Sequence, residues 1–554
     1  MKETAKGGAA AAGLRRRASD LAALLYGGIA LPFGCLALLS GCGGSGGDDA
    51  GTGGAAGTSA GLGGSGGTDG GTAGMGGSTS MGGTTGMGGT TSKGGSTGMG
   101  GTTSKGGSAG MGGSASPGGS AGAGTGGGTA TCTFDQSSTL SEKIPTVGIV
   151  TFDTTLAGIK SATIDFGLTT AYGLTAPVDL TQPKYRTLLL GMKSSQTYHY
   201  RITATGASGD CQSPDYTITS GPLANGLVKP KVTTNDASAL AGGFLITGQY
   251  VANSSGSGPA YIVDSDGDIV WWYNIEDYVT GAVMDYSGTH MWINNHPPNL
   301  ADAKVHRVSM DGMVDEDLTN EMPRLSHQLT VLPDETVAFY ADDGGTEGCS
   351  DIKERKLDGS VRTIVNSQKA LGTTGQCHVN DIQYSPEDDT LVFSDHIHCA
   401  VAKIKRTDGS TVWILNGSTK TFSGDVWLGS EHGIHIQGVD DLLIFNNNSR
   451  SVAGSTASVA IGTGDGSRVT EIKLDLNAKT ATEIWSYKAM GNQYQTDVMG
   501  DVQRLWNGTL VVAFGGKGII QEITPDGTVL QELKTTTNFG YIQKRKTLYG
   551  PPPR

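Results

Sequence analysis

From Lys229 onward, apolar residues arrive in short runs broken by turn residues. Ile269-Val270-Trp271-Trp272-Tyr273 and Thr411-Val412-Trp413-Ile414-Leu415 are strong strand runs, and each follows an Asp-Gly turn. Such turns recur at Asp264-Ser265-Asp266-Gly267, Asp311-Gly312, Asp358-Gly359, Asp408-Gly409 and Asp526-Gly527, with a degenerate copy at Asp475-Leu476-Asn477. The spacing is about 45–55 residues, with one longer gap before the degenerate copy. Strand-and-turn repeats of that length predict propeller blades, and about 325 residues at about 53 per blade predict six. The fold class expected is all-β: a six-bladed β-propeller preceded by a small β-sandwich and a disordered Gly-rich tether.

The stretch before the repeats has a different rhythm. Short alternating runs at Thr146–Phe152, Ser161–Phe166, Tyr185–Gly191, Tyr198–Thr203 and Tyr216–Thr219 are separated by turn residues. This is a sandwich pattern. Tyr198-His199-Tyr200-Arg201-Ile202, following Leu189-Leu190-Gly191, resembles a fibronectin type III strand with its tyrosine corner. His199 reads as a surface strand residue.

A second periodicity carries the candidate chemistry. His327, His378 and His432 each lead a short strand, a turn and a strong strand, and they are 51 and 54 residues apart. Thr280 and Gly500 hold the same phase in other blades. The innermost strand of each blade lines the central channel, so equivalent positions converge on one axis. Three histidines far apart in sequence are therefore expected in one funnel. His396 and His398 are two apart, so they should face the same side. His435, three from His432, should face away from it. His290, His296 and His306 read as loop or outer-strand residues. Asp264, Asp266 and Asp268 look like a calcium loop but lack the distal Glu, and the recurrence of the turn favours a plain turn.

Composition divides the chain further. Gly makes up 90 of 554 residues, and about 40 of them lie between Gly43 and Ala130. That segment contains a repeat, Met87–Gly98 against Met99–Gly110, differing only at Thr97 and Ala109. It cannot bury enough apolar surface to order itself and reads as a tether. The boundaries expected are 1–42 lipoprotein signal peptide, 43–130 linker, 131–224 sandwich and 225–554 propeller. A net charge of −13 argues against a nucleic-acid partner.

Arg15, Arg16 and Arg17 precede an apolar run from Leu21 to Ser40 that ends in Leu39-Ser40-Gly41-Cys42. This is an export signal. The tetrad resembles the bacterial lipobox, which makes Cys42 the lipidated first residue of an exported lipoprotein. The place expected is the cell envelope, on the periplasmic or surface side of an outer membrane, with the membrane as a partner through the lipid. Export favours disulfides. Cys132 with Cys211 and Cys349 with Cys377 are the expected pairs, leaving Cys399 as a buried free thiol.

His327…Leu332-Pro333, His378-Val379-Asn380, His432…Leu443-Ile444-Phe445-Asn446-Asn447, the segment Asp501 to Thr509 and the closing Leu548-Tyr549-Gly550 resemble the bacterial arylsulfate sulfotransferase family. The resemblance covers about Lys229 to Gly550. It implies ping-pong sulfuryl transfer from a phenolic sulfate donor to a phenol acceptor, with no nucleotide donor, no cofactor and no metal. It makes His432 the residue that carries the sulfuryl group, with His327 and His378 beside it. The family's arginine is replaced here by His396, which is charged only part of the time. Activity is then expected to rise as pH falls and His396 gains charge, until His432 is itself protonated, which gives a bell-shaped profile. His398, Asn380 and Arg450 complete the expected substrate-binding set, with Arg324 a further cation near by in sequence. Two other readings stand beside this one: a metal-dependent hydrolase built on the three histidines, and a non-catalytic, surface-tethered binding propeller.

Overall fold

The computed structural model describes residues 132–250, 258–342, 349–424, 426–451, 458–460 and 466–552, with side chains from 449 to 465 outside that description. The signal segment, Cys42 and the tether 43–130 lie outside the described residues.

Six antiparallel sheets, five of four strands and one of five, follow one another along the described residues of the repeat region. Five begin with their innermost strand: Gly281–Met284, Leu325–Val331, Val379–Ser385, Ile434–Gly438 and Asp501–Arg504. The remaining sheet takes its innermost strand, Asn538–Arg545, from the far end of the chain and pairs it with Phe244–Tyr250. These six strands touch in ring order, Asn538–Arg545 meeting Gly281–Met284 to close the circle. The sheet that begins with Asp501–Arg504 gains a fifth strand, Lys231–Thr234, on its outer edge. Both ends of the repeat region are thus stitched into blades formed by the other end. The fold is the all-β, six-bladed propeller that the turn spacing predicts.

Apolar faces between blades provide the cohesion. Trp271 is fully buried and donates its Nε1–H to the Met310 carbonyl at 2.9 Å. Each such large apolar side chain removed from water contributes roughly 1.5–3 kcal/mol. The Asp-Gly turns appear where the spacing puts them: the Gly267 N–H donates to the Asp264 carbonyl at 3.0 Å, with Gly267 at a φ of 79° that suits glycine.

The residues before the propeller form two sheets. Phe134–Leu140, Gly148–Thr154 and Thr187–Leu189 make one; Leu174–Pro177, Ile159–Gly167, Thr197–Gly206, Gly209–Gln212 and Tyr216–Thr219 make the other. The hydroxyl of Tyr198 accepts from the Lys193 N–H at 2.8 Å, a short link back along the chain. His199 sits on the outer face beside Asp215. This unit docks on the propeller by specific bonds. The Tyr549 hydroxyl accepts from Leu190 N and donates to Leu188 O, at 2.7 and 2.9 Å. Thr146 Oγ1 donates to Val270 O at 2.7 Å. Lys193 reaches Asp264, Asp266 and Asp268, supplying the positive charge to that acidic turn. Cys132 is bonded to Cys211, and Cys349 to Cys377. Cys399 is buried, as its strand context implies, but its sulfur is not free.

Candidate functional site

In an antiparallel meander the start of each innermost strand lies beside the end of the strand that follows it. Both positions therefore open at the same end of the channel. His327, His378 and His432 occupy starts. His378 immediately precedes Val379–Ser385, and His432 lies just ahead of Ile434–Gly438. His327 lies inside Leu325–Val331, at a register shift between Leu325 and Leu329, with a left-handed φ of 53°. A non-glycine residue held there carries local strain, and such positions concentrate at functional sites.

Ends of second strands supply a second tier. His396 follows Thr390–Asp395, His296 comes shortly after His290–Asn294, and Asn447 follows Asp441–Asn446. Backbone bonds lock the tiers together. His396 N–H donates to His378 O at 2.8 Å, and His432 N–H donates to Phe445 O at 3.0 Å.

Five imidazoles converge. Ring centroids lie 4.9 Å apart for His327 and His378, 6.2 Å for His327 and His432, and 5.4 Å for His378 and His396. His396 is 6.0 Å from His432. His296 stacks on His327 at 3.8 Å and stands 6.3 Å from His378. The expectation that three histidines meet in one funnel describes the geometry, but reading His296 as a bland loop residue does not. Its strand ends at the same mouth as that of His396, a parallel visible in sequence only once the second strands are aligned as well as the first.

Partners set the tautomers. His432 Nδ1 lies 2.8 Å from Asn447 Oδ1 and 3.3 Å from Ser430 O. Asn447 Nδ2 donates to Thr496 O and Met499 O at 2.9 and 3.0 Å, so its oxygen must accept. Nδ1 of His432 therefore carries the proton, and Nε2 keeps its lone pair. Ser326 Oγ lies 2.7 Å from His327 Nδ1 and 3.1 Å from His296 Nδ1.

Burial keeps the cluster uncharged. It pulls His432 down to about 4, with the nearby His378 adding to the effect against the Asn447 bond. His296 falls to about 3 and His396 to about 2, in each case through burial and then the charges of His378 and His432. His327 and His378 are lowered as well, chiefly by burial. The expected gain of charge by His396 on mild acidification is corrected here. Burial above all, with His378 and His432 beside it, holds His396 far below its usual value, so mild acidification does not charge it.

His398 does not join the rings. Residues 396–399 form a turn, so strand alternation does not apply to them. His398 Nδ1 instead meets Asp395 Oδ1 at 2.8 Å. Burial works against its charge, but the Asp395 bond outweighs that and raises the ring above its usual value. Asp395 Oδ2 also accepts the His378 N–H at 2.8 Å. Asn380 is fully buried, and its Nδ2 donates to Glu431 O at 2.8 Å, so it braces the backbone just ahead of His432. Arg324 Nε donates to Asp342 O. The Arg450 side chain lies outside the described residues. His435 lies on the following strand, makes none of these ring contacts, and is pulled down to about 4 by burial and by Arg504.

Two groups of described side chains have ligand atoms that all lie within 4.8 Å of one another: Cys377, Asp395 and His398, and Asp264, Asp266 and Asp268. Cys377 is tied up in its disulfide and the aspartates face Lys193. Neither group draws on the ring cluster.

Several solved structures are similar to part of the chain at low identity. A putative 6-phosphogluconolactonase from Bacteroides fragilis is 14% identical, covers 56% of this chain and 99% of its own, with a TM-score of 0.35. The Cps50 (Swd1) β-propeller domain of Myceliophteria thermophila is 10% identical over 57% of this chain and 90% of its own, at 0.36. The periplasmic gluconolactonase PpgL of Pseudomonas aeruginosa is 11% identical over 70% and 99%, at 0.33. No curated protein matches the chain. The family model described as Arylsulfotransferase (ASST) matches residues 366–544, a span that contains His378, Asn380, His396, His432 and Asn447 and leaves His296, Ser326 and His327 outside it. Over that segment the chain is similar to the arylsulfotransferase (ASST) family.

Proposed function

We propose that the protein transfers a sulfuryl group from an aryl sulfate ester to an acceptor phenol in two steps, through a sulfohistidine at His432. The observation that carries this reading is the bond from His432 Nδ1–H to Asn447 Oδ1, which leaves the lone pair on Nε2. In the first step Nε2 attacks sulfur as the S–O(aryl) bond breaks, and the phenolate takes the bonding pair. The ring then bears a positive charge, which the Asn447 oxygen stabilises. In the second step the oxygen of an acceptor phenol attacks sulfur as it gives its proton to a neighbouring imidazole, the N–S bond breaks, and His432 is restored as its proton-bearing Nδ1 tautomer; the proton released balances the one taken up by the phenolate of the first step. Beyond the covalent role of His432, the work of the protein is positioning and hydrogen bonding to the equatorial oxygens, as in phosphoryl transfer. N–H groups of His378 and His396 are the donors closest to hand.

The test is turnover of a chromogenic phenyl sulfate with and without an added phenol. The reading expects phenol-dependent turnover and a mass increase of one sulfuryl group on the peptide that contains His432, absent from His432→Ala. Turnover that survives His432→Ala and dies with chelators would move the site to metal-dependent hydrolysis. Binding of sulfate esters with no turnover would make this a binding propeller.

The place of action proposed is the cell envelope, with lipid on Cys42 as the anchor and 43–130 as the spacer. Cys42→Ala should release the protein from membranes or stop its processing. Membrane attachment unchanged in that variant would remove the proposal.

A further inference from the structure

One hydroxyl joins two histidines of the cluster. Ser326 Oγ is within hydrogen-bond distance of Nδ1 on both His327 and His296, at 2.7 and 3.1 Å, and it is buried. The two rings stack at 3.8 Å. A serine hydroxyl has one proton to donate. If it donates to one Nδ1, the other Nδ1 must itself bear a proton and donate to the serine oxygen. With the Ser326 proton given to one of these two rings, the pair of neutral rings takes opposite tautomers. One presents a bare Nε2 and the other an Nε2–H.

We infer that His296, Ser326 and His327 form a neutral proton relay that serves the departing and arriving phenol oxygens. This inference rests on the proposed sulfuryl transfer for its purpose but not for its geometry. As the S–O(aryl) bond breaks, the Nε2–H ring protonates the departing oxygen. Its Nδ1 then takes the serine proton, Ser326 takes the Nδ1 proton of the other ring, and that ring's Nε2 takes one proton from solvent. The tautomers have exchanged and no ring has become a cation. In the second step the acceptor phenol gives its proton to whichever Nε2 is bare, the relay runs back, and one proton returns to solvent. Across both steps the phenol released has gained the proton that the acceptor lost.

The relay answers a difficulty that the rest of the site creates. A buried group of five rings cannot hold several positive charges, so a general acid that begins as an imidazolium is costly there. A tautomeric pair delivers a proton without that cost. His296 lies close enough to take part, its ring 3.8 Å from that of His327 and 6.3 Å from that of His378.

The test has two arms. In the first, ring-nitrogen NMR of the whole chain, labelled at histidine, should show His296 and His327 as one tautomer each way, with that distinction lost in Ser326→Ala and kept in Ser326→Thr. Two rings in the same tautomer in the wild type would overturn the inference, whatever the enzyme proves to do. The second arm compares aryl sulfates of good and poor leaving groups. A general acid is worth roughly 10²–10⁴ where the leaving oxygen needs its proton. Ser326→Ala and His296→Phe should lose about 10² or more with a poor leaving group and less than about fivefold with nitrophenyl sulfate, and Ser326→Thr should recover most of the loss. An equal fall for both leaving groups would mean a purely structural role. Failure of the wild type to form sulfo-His432 would sink the sulfohistidine reading, and the first arm would still decide the relay.

Discussion

His432 Nδ1 and Asn447 Oδ1 are 2.8 Å apart, and the amide nitrogen of Asn447 is committed to two backbone carbonyls of the next blade. One side chain thus orients the ring, selects its tautomer and ties two blades together. Asn447→Ala should lower the rate of sulfo-enzyme formation by about 10²–10³, the order seen when a single orienting or charge-stabilising group is removed. Asn447→Asp keeps an acceptor at Nδ1 and should retain more activity than the alanine variant. Single-turnover burst kinetics, with the melting temperature of each variant measured alongside, separate the catalytic loss from the structural one. A burst rate equal to wild type in Asn447→Ala would show that Asn447 does not set the tautomer.

The histidines are held neutral, and the sign of the pH effect follows. His432 is at about 4 in the folded chain, so its Nε2 is free throughout the neutral range. The value of kcat/KM should be flat between about pH 6 and 8 and fall below about pH 5, with no acid-side rise. Stability has the same direction. A lowered histidine gives no penalty above its unfolded value near 6.5, and the fold loses stability as pH falls below that. Each resisting ring costs up to about 1.4 kcal/mol per pH unit until its folded value is reached. Melting temperatures at pH 7 and pH 5 check this, and a protein equally stable at both would contradict it.

His396 occupies a position from which a cation would face His378 and His432, at ring distances of 5.4 and 6.0 Å. His396→Arg places a permanent charge and a planar fork there. It should lower KM for an aryl sulfate several-fold at pH 8 and leave the stereochemistry of transfer unchanged. A KM that does not move would mean that the sulfate group is gripped elsewhere.

Asn380 braces the segment ahead of His432 through Glu431 O. Its backbone carbonyl also accepts from the Tyr541 hydroxyl at 2.6 Å, within the channel wall. Asn380→Ala leaves that carbonyl of Glu431 without its donor in a fully buried place, which costs roughly 1–3 kcal/mol. Chemical denaturation should show that loss, and kcat should fall more than KM rises because His432 loses its support rather than the substrate a contact.

Tyr549 joins the end of the chain to the sandwich through Leu188 and Leu190. Tyr549→Phe removes both bonds and leaves the Leu190 N–H and Leu188 O without partners, at a cost of about 1–3 kcal/mol. Limited proteolysis between the sandwich and the propeller should speed up while sulfuryl transfer persists. Cleavage at the wild-type rate would mean that the remaining contacts hold the two units alone.

Turn spacing was enough to read the blade number, because Asp-Gly turns and apolar strand runs are local requirements of each repeat. The shared phase of His327, His378 and His432 was legible for the same reason, since one blade contributes one position to the axis. His296, Ser326 and Asn447 were not, because their roles depend on which strand end lies against which strand start, and that is a property of the meander. His398 misled because alternation holds only within a strand, and residues 396–399 turn. The protonation of the cluster is the plainest case of all. A sequence lists histidines with a usual value near 6.5, but only packing five of them together out of water holds them neutral, with the Asn447 amide placing the proton of His432 and the Ser326 hydroxyl joining those of His296 and His327.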